Sequence, residues 1–205
     1  MDTLQLPRVG ADRKRLAGLV FFALAAQFMT VVMLASSMAP AYDFGAGAIS
    51  DLGVIPATAL LFNRSLAAVG VLNSLGAYVL PAVRERVWLF ALYVIAGVGA
   101  IGAAVFPLDR GGLHSIFALV AFLFFNLQAI GSGAVLRGPM RWLSVAAGVI
   151  GLVFVVVMFI GDGGNPAVFG AIGHGGAERM IVYPAMLWML AFGGYLMREG
   201  GDPVA

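Results

Sequence analysis

Long apolar runs separated by short polar breaks set the plan of this chain. Crossing a bilayer as a helix takes about 20 predominantly apolar residues. Six stretches meet that length: 16–38, 57–83, 87–106, 113–136, 142–160 and 180–197. Two breaks are short, Arg84-Glu85-Arg86 and Arg137 to Arg141. Two are long, Ala39 to Ile55 with Pro40, Asp43 and Ser50-Asp51, and the glycine-rich Gly161 to Ala177. A tight turn from Pro107 to Gly112 separates the third and fourth runs. Short connections force neighbouring spans to run antiparallel. The pattern predicts an all-α polytopic membrane protein, a six-helix transmembrane bundle.

Charge gives the bundle a direction. Of the 12 Lys and Arg residues, nine fall at one set of span ends: Arg8, Arg13, Lys14, Arg15, Arg84, Arg86, Arg137, Arg141 and Arg198. The opposite ends hold Asp43, Asp51, Asp109, Asp162, Glu178, His114 and His174. The positive-inside rule makes the basic side cytoplasmic. Both termini are then expected inside, with 1–15 as a cytoplasmic segment and 199–205 as a cytoplasmic tail. The stretch Asp12-Arg13-Lys14-Arg15 resembles the start of a signal peptide, but the apolar run behind it is longer than such a peptide carries. An uncleaved first span is expected.

Composition agrees with this reading. The chain is 61% hydrophobic and 11% charged, far from a soluble average. The net charge of +2 is dispersed at span ends, where it meets lipid headgroups, so membrane lipids and not nucleic acid are the expected partners. Without cysteine there is no disulfide framework and no thiol chemistry. Gly97, Gly99 and Gly102, Gly148 and Gly151, and Gly193 and Gly194 lie within spans, where small residues let helices approach closely. The cofactor and the oligomeric state are not legible.

The candidate chemistry gathers at the expected outer face. Arg64, beside Asn63, lies within a span, where a charge is costly and calls for a partner; Asp51, Asp109 and Glu178 are candidates. Asp109 can cap the fourth span, and His114 in its first turn is a general base, proton relay or ligand, or else an interfacial group with a single hydrogen bond. In the loop around His174, Glu178 and Arg179 open the sixth span, with Trp188 further along. Catalytic candidates are therefore Glu178, Asp109, His114 and Asp51. Substrate-binding candidates are Arg64, Asn63, Arg179, His174, Ser50 and Trp188. Ser50 and Asp51 with a histidine do not make a serine triad by adjacency, and no two residues have the spacing of a metal-ligand pair.

Ile49-Ser50-Asp51-Leu52-Gly53, Phe62-Asn63, Phe106-Pro107-Leu108-Asp109 with His114, and Gly176-Ala177-Glu178-Arg179 with Trp188, in that order, resemble the DUF998 family of bacterial and archaeal membrane proteins. The resemblance covers about residues 16 to 197. It implies a six-helix membrane bundle and carries over no catalytic residue. A more distant comparison, the alkaline-ceramidase and adiponectin-receptor superfamily, places Ser, Asp and three His around zinc in seven spans. This chain departs from it, with two His and six expected spans.

Three functions fit these residues. One is a membrane-embedded enzyme acting on a lipid or isoprenoid through the acid, His and Arg cluster. Another is a non-catalytic lipid-organising or partner-binding protein. The third is a small transporter, although the deep halves of the spans hold only Gln27, Asn73, Asn126, Gln128 and scattered hydroxyls. The topology is checked directly: reporter fusions after Gly138 and after Asp162 are expected on opposite sides, the first cytoplasmic. Both reporting the same side would refute the span assignment.

Overall fold

The computed structural model describes residues 9–199. Arg8 and tail residues 200–205 lie outside the described residues. Seven α-helices form: α1 (Val9–Met38), α2 (Ala59–Val79), the single turn α3 (Pro81–Arg84), α4 (Val87–Val105), α5 (Gly112–Ser132), α6 (Gly138–Asp162) and α7 (Gly173–Glu199). Short 3-10 turns at Ile49–Gly53, Leu108–Arg110 and Pro166–Ile172 fill three connections. All described regular structure is helical. Six helical segments of 19 to 33 residues are long and apolar enough to cross a membrane. The chain is a multi-pass membrane protein.

Each span packs against its neighbour in sequence, and α7 closes the ring on α1. The start of α1 and the end of α7 therefore lie at one end of the bundle. The connections 39–58, 106–111 and 163–172 lie at the other. Close helix approach draws on the small residues. A Cβ on Gly70 would come within 2.3 Å of the Gly97 carbonyl oxygen, and one on Gly97 within 2.7 Å of the Gly70 oxygen. The α2–α4 contact is thus backbone against backbone. Gly18 and Gly193 meet in the same way between α1 and α7.

Away from the site, polar side chains tie helices together. The Asn73 amide donates to the Gln128 Oε1 at 2.9 Å, and the Gln128 amide returns a bond to the Asn73 Oδ1 at 3.1 Å. Asn73 also donates to the Tyr93 carbonyl at 2.8 Å, and Tyr93 shares a 2.7 Å bond with Ser132. Between α1 and α2, Ser65 donates to Gln27 at 2.7 Å. Buried groups that satisfy one another hold membrane helices in register without leaving an orphan in lipid.

Helix boundaries depart from the apolar runs where backbone chemistry intervenes. α2 stops at Val79 because Pro81 has no N–H to continue the ladder, and the chain restarts as α3. α5 ends at Ser132, with residues up to Leu136 in turns. The expected loop 161–177 is largely helical: a 3-10 turn from Pro166 leads into α7, which begins at Gly173. Glu178 therefore stands inside a helix and does not open one.

Gly70→Val is expected to cost about 1–3 kcal/mol by overpacking the α2–α4 contact. Gly194→Ala, with nothing within 4 Å of the new Cβ, is expected to stay within about 0.5 kcal/mol of the parent. Thermal unfolding of the two variants in detergent checks the difference; equal midpoints would refute backbone contact at Gly70.

A candidate lipid-facing site

The connection from α1 to α2 folds back over the ring and is tied to the first turns of α7. The helix start leaves backbone N–H groups without intrahelical partners. Those of Gly175 and Gly176 donate to the Gly45 carbonyl at 2.8 and 3.3 Å. A side chain on Gly175 would put its Cβ 2.1 Å from the Gly47 carbonyl oxygen, so only glycine permits the contact. Glu178, 5% exposed, then accepts a hydrogen bond from the Ile49 N–H at 2.7 Å.

Arg179 completes the tie. Its guanidinium donates to the carbonyls of Gly47 at 3.0 Å and Gly175 at 2.7 Å, and to the Tyr42 hydroxyl at 2.7 Å. Its Cζ lies 3.8 Å from the centre of the Phe44 ring, a cation–π contact. Burial pushes the Tyr42 phenol above its ordinary pKa, although the Arg179 bond opposes this. Further out, the Asp43 carboxylate accepts from the N–H groups of Gly45 and Ala46 at 2.7 and 3.0 Å. Those bonds hold its pKa below the usual carboxylate value.

Beneath this connection lie two hollows. A cleft of about 420 Å³ runs between α5 and α6, lined by Ser115, Ala118, Leu119 and Phe122 on one side and Val155, Met158, Phe159 and Asp162 on the other. Its back wall is α7, through His174, Glu178 and Ile181, and its roof carries Ala48, Ser50 and Asp51. Leu119 and Phe159 are exposed at its edges, so the cleft opens sideways onto the apolar flank of the bundle. It reaches from His114 to Phe122, eight residues or roughly 12 Å along the helix. Inside the ring lies a second cavity of about 70 Å³, which shares Ser50, His114 and Glu178 with the cleft.

His114 stands at this junction, 4% exposed. Its Nδ1 is 2.8 Å from the Phe106 carbonyl oxygen. A carbonyl can only accept, so Nδ1 carries a proton; in that tautomer Nε2 is an acceptor. Nε2 is buried with no hydrogen-bond partner among the described residues. A buried acceptor without a partner costs about 1–3 kcal/mol, and a ligand donor would recover that.

The remaining candidates divide. Ser50 and Asp51 line the cleft, and Asp51 also accepts from the Ala48 N–H at 2.8 Å, capping the 3-10 turn. His174 lines the cleft, with Nε2 3.2 Å from the Asp162 carboxylate. Asn63 is taken up in structure, donating to the Gly53 carbonyl at 2.8 Å. Trp188 stacks on Phe192 in the core, ring centres 5.1 Å apart, and lines neither hollow. Arg179, expected as a substrate group, is bonded to the 39–58 connection.

Two expectations are corrected. Arg64 is exposed and borders a groove between α2 and α4, with no acidic partner among the described residues. It lies on the outer surface of the ring, where its long side chain can reach headgroups without a counter-charge. Asp109 is exposed and does not cap α5. Gly111, at φ 64°, turns the chain before the helix starts and is itself the N-cap, which leaves Asp109 in the preceding 3-10 turn. Sequence reading missed Tyr42 and Phe44 as partners of Arg179, and Ser115, Met158 and Phe159 as cleft walls. The Arg179 partners are more than 130 positions away in the chain, and no local pattern marks them.

Residues 15–195 match the family described as "Protein of unknown function (DUF998)". The chain belongs to that family, as its motifs and six spans suggested. No curated protein and no solved structure matches it.

Arg179→Met is expected to free the 39–58 connection. Losing hydrogen bonds from a charged donor costs roughly 2 kcal/mol, so amide exchange at Gly175, Gly176 and Ile49 is expected to rise roughly thirtyfold. Unchanged exchange, read by mass spectrometry, would show that Arg179 does not hold the connection.

Proposed function

We propose that this protein is a membrane-embedded enzyme acting on a lipid or isoprenoid that enters sideways through the α5–α6 cleft. The observation that carries the reading is the buried, unpartnered Nε2 of His114, which lines a laterally open cleft together with Glu178. His114, held in one tautomer by the Phe106 carbonyl, takes a proton from the bound molecule. Glu178 supplies the second proton-transferring group, and Ser50, Asp51 and His174 contact the polar part of the substrate. In this reading the termini are cytoplasmic, as the basic span ends favour, and the cleft faces the outer leaflet of the cell membrane.

One observation favours the non-catalytic, lipid-organising alternative. Glu178 already accepts the Ile49 N–H, so the acid has a structural task whether or not it reacts. The transporter reading has less support, because the deep amides of Asn73 and Gln128 bond to each other across the bundle.

Proteoliposomes containing the protein and a total membrane-lipid extract test the proposal, with mass spectrometry following each lipid species. The parent protein is expected to deplete one species and form a product. Glu178→Gln and His114→Ala are each expected to lower that rate at least a hundredfold, within the usual contribution of acid–base catalysis, while remaining folded in detergent. Full activity in either variant would remove that residue from the chemistry. No conversion by the parent protein would favour the non-catalytic reading.

A further inference from the structure

Resting on that reading, we propose that the ligand is a neutral long-chain molecule whose hydrogen-donating group is internal. A hydroxyl sits at His114, a short apolar arm points into the ring, and the long arm runs out along the α5–α6 cleft. The two hollows share three polar residues, Ser50, His114 and Glu178, and three apolar ones, Ala118, Phe122 and Ile181. Beyond them the inner cavity is walled by Phe28, Val69, Ala100, Ala121, Phe125 and Met186. A polar group at the end of a chain would leave this inner cavity unfilled, and unfilled apolar walls forfeit contacts.

Size limits the short arm. An apolar cavity of about 150 Å³ takes a benzene ring. Half that volume, close to the 70 Å³ found here, takes about three carbons. Asn126 also borders the inner cavity; its amide donates to the Phe122 and Ile181 carbonyls, while its Oδ1, buried without a hydrogen-bond partner among the described residues, lies against Gly151 of α6. Packed on the α6 backbone, that oxygen is covered by Gly151, and the rest of the wall that the short arm meets is apolar.

Charge excludes an anionic headgroup. The ionisable residues lining the two hollows are Asp51, Asp162, Glu178, His114 and His174. No arginine or lysine lines either of them. Arg179 is bound to the 39–58 connection and Arg64 faces the opposite flank of α2. A phosphate or carboxylate would meet carboxylates here. A hydroxyl instead donates to the His114 Nε2, which has no hydrogen-bond partner among the described residues.

Thermal stabilisation of the detergent-purified full chain by heptadecan-1-ol, heptadecan-4-ol, heptadecan-9-ol and heptadecan-4-one tests the inference. Heptadecan-4-ol is expected to stabilise at a concentration at least fivefold lower than the other three. Position nine gives too long a short arm, position one gives none, and the ketone has no donor. His114→Ala is expected to abolish the stabilisation. Ala103→Leu, which fills a wall of the inner cavity alone, is expected to erase the preference for position four over position one. If Ala103→Leu does not fold, the parent series alone decides. Equal stabilisation by the 1-ol and 4-ol, both lost in His114→Ala, would overturn the internal position while leaving the cleft as the lipid site. Stabilisation that survives His114→Ala, or none with any alcohol, would overturn the inference, and the proteoliposome assay then judges the wider reading separately.

Discussion

Two neighbouring side chains on α7, Glu178 and Arg179, hold the mouth of the bundle together. A connection folded into a membrane protein must satisfy its own backbone, because lipid offers no hydrogen bonds. Glu178 takes the Ile49 N–H and Arg179 takes the Gly47 carbonyl. One anion and one cation thus bind opposite kinds of backbone group on the same segment. The exposed N–H groups at the start of α7 are answered from that segment by Gly45. Neither the roof over the cleft nor the first turn of α7 is complete without the other.

That mutual dependence explains why the two ends of the ring differ. Toward the start of α1 and the end of α7, small residues bring helices into backbone contact, as Gly18 and Gly193 do. Toward the roof, α5 and α6 carry larger side chains, Phe122, Met158 and Phe159, and a cleft opens between them. The amides of Asn73 and Gln128 close the interior between α2 and α5. Rigid packing at one end and a roofed opening at the other is the arrangement expected where a site must be both preformed and reachable from the side.

The division of labour among charged residues follows from desolvation. A buried charge persists only when hydrogen-bonded or paired. Arg179 meets that requirement with three acceptors and an aromatic face, and it lines neither hollow. Arg64 avoids the cost by staying exposed. His114 uses one ring nitrogen on the Phe106 carbonyl and leaves the other without a partner. Of the described buried groups left without a partner, the His114 Nε2 alone belongs to a residue that borders both hollows.

The six spans were legible in the sequence because membrane burial is written residue by residue. A run of about 20 apolar residues needs no distant partner to be recognised. The polar residues at one end were legible for the same reason, and so were Glu178, His114, Ser50, Asp51 and His174 as members of that end. Which of them share a cleft was decided by tertiary structure alone. Asp109 and His114 are five positions apart, yet Gly111 turns one to the surface and leaves the other buried. Glu178 and Arg179 are adjacent, yet successive helical positions point about 100° apart, so one borders the cleft and the other binds Tyr42 and Gly47. Depth in the membrane is a property of the linear chain. Direction within the bundle depends on helix phase, on the turns that start each helix, and on contacts more than 100 residues away, none of which a hydrophobic pattern records.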